Sequence, residues 1–354
     1  MEDGAPPPLF SFGVIADIQF ADKDDGFNFH RTRKRFYRNS LQILKNASRC
    51  WEEEEEPERR PAFILQLGDI IDGFNRELSA SERALQTVLD EFSSCSAKVH
   101  HVWGNHEFYN FSRAALFQSA LNSRDRGERG AEDEGGEEEE EEEEEEGGGG
   151  RGEEEEKENS LEEVYAYHFS PHPKFRFIVL DAYDLSIIGR DKSSKKFKQS
   201  MKIITEHNHN EELNEPPAIS PLESRFVKYN GGFSQDQLDW LERVLTSADE
   251  NEEKVTILSH LPVHPYSTDP VCLAWNYDKI LSMLQAHNSV VCFMAGHDHD
   301  GGYHMDTYGV HHLTLEGVIE TPPISDAFGI VYVYEDRMVL QGRGRISDRV
   351  LMFR

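Results

Sequence analysis

The sequence predicts an α/β fold in which two mixed β-sheets pack together and are flanked by helices. Two patterns carry that expectation. Short apolar runs alternate with helix-like segments through the first part of the chain, and apolar runs then follow one another towards the C-terminus. Run after run also ends in Asp, Asn, Gln or His, as expected where the carboxyl ends of strands line a ligand crevice. The 354 residues suffice for one large α/β domain, expected over 9–354 after a flexible leader at 1–8.

Taken in order, FSFGVIADIQF (10–20) reads as a buried strand running into a loop, and the basic stretch RTRKRFYRNSLQILKNASRCW reads as helical. AFILQLGDI (62–70) is a second apolar strand, 77–92 has helical spacing, and VHHVWGNHEF (99–108) is a third strand. Residues from about 123 to 160 change character, with Glu137 to Glu146 unbroken. Like-charge repulsion without apolar residues cannot offset ordering entropy, so a disordered acidic insertion is expected there. FRFIVLDAYD (175–184) is the next strand, followed by a long polar excursion to Gly231 and Gly232. Ser234 with Gln237 opens a helix around LDWLERVL as a capping-box pattern. KVTILSHLP, SVVCFMAGHDH, VHHLTLEGV and FGIVYVYED complete the strands, with a helix around 274–287.

Composition narrows the function classes. A formal net charge of -30 argues against binding nucleic acid or an anionic membrane, although the glutamate block supplies part of it. Cys50, Cys95, Cys272 and Cys292 are scattered and form no CxxC pair, which suits reduced thiols in a cytoplasmic protein. No signal-peptide pattern or bilayer-length apolar run is visible, and a monomer is the default expectation.

The strand ends read Asp-x-Gln, Gly-Asp-x-x-Asp-Gly, Gly-Asn-His-Glu, Ser-His-Leu-Pro and Gly-His-Asp-His. Singly each is weak, and a lone strand-end His is commonly a satisfied structural residue. Together they bring Asp17, Gln19, Asp69, Asn105, His106, His260, His297 and His299 towards one place. Carboxylates gathered there repel one another unless cations neutralise them, so a metal centre is the economical explanation.

This series resembles the calcineurin-like metallophosphoesterases, whose blocks run D-x-H, GDxxD, GNH[DE], [GS]H and GHxH. The resemblance implies a four-layer fold and two divalent metal ions bridged by Asp69. Asp17, Gln19 and His299 would complete one site, and Asn105, His260 and His297 the other. It gives His106 a catalytic place beside the substrate's leaving oxygen, with Asp72 and Glu107 orienting neighbours. Gln19 departs from the pattern, standing where most members carry His. An amide offers a neutral oxygen, a harder ligand than imidazole, which favours Mn2+, with Mg2+, Zn2+ and Fe2+ as the alternatives.

GDIIDGFN lacks the phosphate-gripping Arg of the protein phosphatases, and GFNFHRTRKR carries aromatic and basic residues instead. Phe27 or Phe29 would stack on a base while Arg31, Arg33 or Lys34 faces phosphate. Within the family, LQLGDIIDG, WGNHEFYNFSR, CLAWNY and LEGVIET resemble a branch that cleaves nucleoside-diphosphate-linked substrates with manganese. That likeness implies hydrolysis of ADP-ribose to AMP and ribose 5-phosphate. It also implies hydrolysis of CDP-choline, CDP-ethanolamine and CDP-glycerol to CMP and a phosphoalcohol. Phe29, Ile188 and Cys272, in three different loops, are nominated as base or ribose contacts. The competing expectations are a phosphodiesterase or phosphoprotein phosphatase of the same fold, and a non-catalytic scaffold.

Overall fold

The computed structural model describes residues 6–28, 31–54, 56–124 and 163–354. Phe29 and nearly all of the expected acidic insertion lie outside the described residues.

Two six-stranded mixed sheets form the core. In the first, β1 (Phe10–Ile15) lies parallel to β4 (Phe63–Gln66), which lies parallel to β5 (Lys98–His101). On its other side β1 pairs antiparallel with β12 (Ala327–Val333), followed by β13 (Arg337–Gly344) and β14 (Arg349–Met352). In the second, β7 (Phe175–Val179), β8 (Lys254–Leu258), β9 (Val290–Ala295) and β11 (His311–Thr314) run parallel. Antiparallel β6 (Tyr167–His172) and β10 (Gly302–Met305) close its edges. A two-residue hairpin, β2 (Gly26–Phe27) and β3 (Lys34–Arg35), stands apart.

The sheets meet through aromatic side chains. Phe12 and Phe63, neighbours in register, stack at 5.3 Å, and Phe177 of the second sheet stands edge-on to them at 5.3 and 5.2 Å. Offset and edge-on contacts match the ring quadrupoles and bury large apolar areas. β1, β9 and β12 are buried along their whole length, because each is covered on one face by the other sheet and on the other by helices. Helices Asn39–Glu52 and Ser81–Phe92 lie on the first sheet, and Gln235–Glu250 and Tyr277–Ala286 on the second. No helix among the described residues is long and apolar enough to cross a membrane.

Gly13 sets how closely the first layer packs. A Cβ there would lie 2.8 Å from the Trp51 ring, whose Nε1 donates to the Gly329 carbonyl at 3.1 Å. Gly13→Val is therefore expected to cost about 1–3 kcal/mol through overpacking, read as a lower urea midpoint with an unchanged slope.

Three local expectations are corrected. RTRKR is not helical: Lys34 and Arg35 form β3, and the helix begins at Asn39. Arg33, Lys34 and Arg38 instead pair with Asp300, Asp25 and Asp22, side chains that the local pattern does not display. The polar excursion contains a helix, Lys195–His207, capped by the Ser194 hydroxyl. Its buried stripe is Lys196, Ser200 and Ile204, so its apolar periodicity is faint. At Ser234 the hydroxyl accepts the Gln237 amide at 3.2 Å as expected, but the Gln237 side chain turns away to the Asp181 backbone.

Candidate metal centre

The carboxyl ends of β1, β4, β5, β8 and β9 converge, so the polar residues just beyond them share one cleft. Two of these loops are tied directly: the Asp17 and Gln19 amides donate to the Gly68 and Asp69 carbonyls. Glu107 ties a third, accepting the Asp69, Ile70 and Gly104 amides at 2.9, 2.7 and 2.5 Å. Burial and the nearby Asp69 charge push its carboxyl up to about 7. Asp17, Gln19, Asp69 and His297 all adopt left-handed backbone, with φ between 42° and 70°. Non-glycine residues adopt this region uncommonly, and four of those in the described residues meet at this one centre. Gly68, at φ 97°, precedes Asp69 where a Cβ would also overlap the His260 ring.

Three imidazoles each engage one nitrogen outward and turn the other inward. His260 Nδ1–H donates to the Leu67 carbonyl at 2.8 Å, leaving Nε2 3.4 Å from Asp69 Oδ2. His299 Nδ1–H donates to Glu320 Oε1 at 3.0 Å, leaving Nε2 3.4 Å from Asp17 Oδ1. In His297 the order is reversed: Nε2–H donates to Asn230 Oδ1 at 2.8 Å, and Nδ1 lies 3.2 Å from His260 Nε2. An outer acceptor that fixes the tautomer and aims the inner lone pair is the usual setting of a metal-binding histidine.

The electrostatics point the same way. Burial alone would depress His260, but the Asp69 carboxylate outweighs it and lifts the imidazole to about 10. Burial likewise opposes the charge on His299, yet hydrogen bonds to Asp17 and Glu320 raise it to about 9. Asp69 is held well below the usual carboxylate range, since His260 and His106 overcome its burial. Burial and the neighbouring His260 keep His297 neutral. Protons on His260 and His299 thus supply the positive charge that the buried carboxylates require, and divalent cations would supply it equally well.

The amides differ. Asn105 Oδ1 accepts the Tyr183 hydroxyl at 3.1 Å and keeps a second lone pair. Gln19 directs Nε2 inward, 3.1 Å from Asp69 Oδ2 and 3.0 Å from His299 Nε2, while Oε1 accepts Arg35 Nη1 at 3.2 Å. Oxygen ligation by Gln19 therefore needs the half-turn that exchanges its two ends, with Arg35 releasing the oxygen. His106 Nδ1 accepts the Gly73 amide at 2.8 Å, so the neutral ring carries its proton on Nε2. Asp72 accepts the Phe74 amide through Oδ1 and lies 3.6 Å from His106 Nδ1 through Oδ2.

Gln19, Asp69, Asn105, His106, His297 and His299 line a cleft of ≈ 420 Å³ whose walls include Asn28, Arg33, Tyr109, Tyr229, Cys272 and Asp298, while Asp17 and His260 are fully buried. Phe27, nominated with Phe29 for stacking, is 52% exposed and is not among the lining residues. Cys272 lines the cleft, and burial raises its thiol far above the ordinary value, consistent with an inert wall. Ile188 does not line it; the side chain is buried in the main core and its amide donates to Ser186 Oγ.

Sequence reasoning missed Arg35, Tyr183, Asn230 and Glu320. Glu320 contacts both His299 and Arg35, the latter at 3.6 Å. Glu320→Gln is expected to raise the manganese concentration needed for half-saturation by about 10–100-fold, because His299 loses its charged orienting partner. Manganese titration followed by electron paramagnetic resonance reads this without reference to turnover.

Comparison with known proteins agrees with this geometry. Residues 10–301 match the family model for calcineurin-like phosphoesterases. A Danio rerio protein named manganese-dependent ADP-ribose/CDP-alcohol diphosphatase is 52% identical over 354 residues, covering 100% of both chains. A Homo sapiens protein of the same name is 53% identical over 98% of this chain and 93% of its own. A crystal structure of a dimetal phosphatase from Danio rerio superposes with a TM-score of 0.85 at 52% identity, covering 98% of this chain and 100% of that one. With five strand ends delivering that family's ligand types to one cleft, the chain belongs to the calcineurin-like phosphoesterases.

Proposed function

We propose that the protein uses two manganese ions to hydrolyse the pyrophosphate bond of nucleoside-diphosphate-linked substrates. The reactions are ADP-ribose to AMP and ribose 5-phosphate, and CDP-alcohols to CMP and a phosphoalcohol. The reading is carried by three imidazoles that each turn one ring nitrogen inward towards Asp17, Asp69 or one another. The full-length likeness to the named diphosphatases supports the substrate class.

Asp17, Gln19, Asp69, Asn105, His260, His297 and His299 would hold the ions. Asp69 suits a shared position, since its Oδ2 lies between His260 Nε2 and Gln19 Nε2. When bound, the pair supplies Lewis-acid polarisation of the phosphate and a nucleophile at neutral pH. The chain's own groups do the rest. His106 presents Nε2–H at the cleft, where the Gly73 amide fixes that tautomer, so it can hydrogen-bond to the leaving phosphate oxygen and stabilise the charge that develops there. Arg33 and Arg35 line the same cleft and offer charge to a diphosphate. Tyr109 and Tyr229 supply aromatic walls of the kind that a base or ribose packs against.

His106→Ala is expected to lower kcat by about 100-fold with KM little changed, because its hydrogen bond strengthens only as charge develops on the leaving oxygen. The activity test is a panel of ADP-ribose, CDP-choline and a phosphopeptide incubated with the purified protein and manganese. AMP and CMP are the expected products. Free phosphate from the phosphopeptide, with neither nucleotide formed, would overturn the proposal.

A further inference from the structure

Away from the catalytic cleft, the loop after β8 and the β10–β11 hairpin gather a second set of ligand-type side chains. His264, Asp306 and His312 are buried, and each places one donor atom within 4.8 Å of the other two. We propose that they bind one transition-metal ion of borderline softness, Zn2+ in the first instance, at a site separate from the catalytic pair.

The spacing suits such an ion. His312 Nε2 and Asp306 Oδ2 lie 3.1 Å apart, bridged by a proton. Two ligands at a zinc bond length of about 2.0–2.1 Å in a tetrahedral site stand roughly 3.4 Å apart, so an ion replaces that proton with little movement. The other nitrogen of the ring, Nδ1, is buried and has no hydrogen-bond partner among the described residues. Moving the His312 proton there bares Nε2 for the ion and leaves one buried N–H unpaired, a cost the metal bonds must exceed.

His264 takes the Tyr266 amide at Nδ1 at 3.2 Å, a long contact between residues two apart that a turn of the ring releases. Burial, with His312 and His304 close by, holds His264 down to about 4, so it offers a neutral imidazole at ordinary pH. The partly buried His304 ring stacks on His264 with centroids 4.5 Å apart, outside the set of three converging donor atoms. Two imidazoles and one carboxylate favour zinc over manganese or magnesium.

Such an ion would tie the His260-to-Asp269 loop to the hairpin. That loop already holds Asp298, which stands between His297 and His299, through Thr268 Oγ1 at 2.8 Å and the Asp269 amide at 2.7 Å. The cluster is therefore placed to stiffen the segments that carry three imidazoles of the catalytic centre.

The test counts zinc and does not depend on the proposed activity. Full-length protein is stripped with a chelator and dialysed against Zn2+ alone, and bound metal is measured by elemental mass spectrometry. About three zinc ions per chain are expected for the wild type and about two for His264→Ala and for His312→Ala. Equal zinc in wild type and folded variants would overturn the proposal. Zinc-edge anomalous diffraction from wild-type crystals decides the matter without variants. A peak among His264, Asp306 and His312 supports the site, and peaks confined to the catalytic cleft refute it.

Discussion

Asp69→Asn is expected to lower manganese-dependent hydrolysis of ADP-ribose at least about a thousandfold, roughly 4 kcal/mol of barrier, while the fold survives. Asp69 serves three neighbours at once. Its Oδ1 accepts the His106 amide at 2.8 Å, and its Oδ2 faces His260 Nε2 at 3.4 Å and Gln19 Nε2 at 3.1 Å. Asparagine keeps an oxygen for the His106 amide but removes the charge that two cations would share. Without that charge, burial governs His260 and the imidazole becomes neutral, so no buried cation is stranded. Because the Asp69–His260 pairing is lost, stability of the metal-free protein to urea is expected to fall by about 2–4 kcal/mol, and bound manganese to fall by at least half. Turnover within tenfold of the wild type would show that Asp69 is not the shared ligand.

The second large effect is a dependence of manganese affinity on pH. His260 and His299, lifted to about 10 and about 9, hold protons on the nitrogens that a cation would need. Binding must release those protons, so apparent affinity is expected to rise as pH increases from about 6 to 9. The slope is up to about tenfold per pH unit for each proton displaced. Calorimetry in buffers of different ionisation enthalpy measures the release directly, and a pH-independent affinity would contradict the assignment.

The sign for stability is opposite. A histidine whose folded pKa is raised contributes fully below its unfolded value of about 6.5 and loses that contribution as pH rises through the folded value. Chelator-treated protein should therefore lose stability between about pH 7 and 10, on the order of a few kcal/mol, whereas manganese-loaded protein should not.

What could be read from the chain alone, and what could not, follows from the range of the interactions. Asp17, Asp69, Asn105, His260, His297 and His299 each end an apolar run, so local pattern exposed them and family order joined them. Glu320 ends a three-residue 3-10 helix and Asn230 lies in a loop, and only the fold brings them to His299 and His297. Arg35 sat in a basic run with no local mark to set it apart from Arg31, Arg33 and Lys34. Its contacts with Gln19, Asp72 and Glu320 span up to most of the chain. The helix Lys195–His207 escaped because the face it buries is partly polar. Nothing local at Ile188 distinguishes a pocket wall from a core residue.

The left-handed backbone at Asp17, Gln19, Asp69 and His297 has an evolutionary corollary. At such positions glycine relieves backbone strain that other side chains endure, a gain set against the hydrogen bonds and ion pairs of the side chain removed. A library selected for heat resistance alone should drift towards glycine at those of the four positions where the relief outweighs that loss, and emerge sturdier and inert. Selection for activity must hold them against that drift in every generation, and a lineage that abandons the chemistry should show its first losses there.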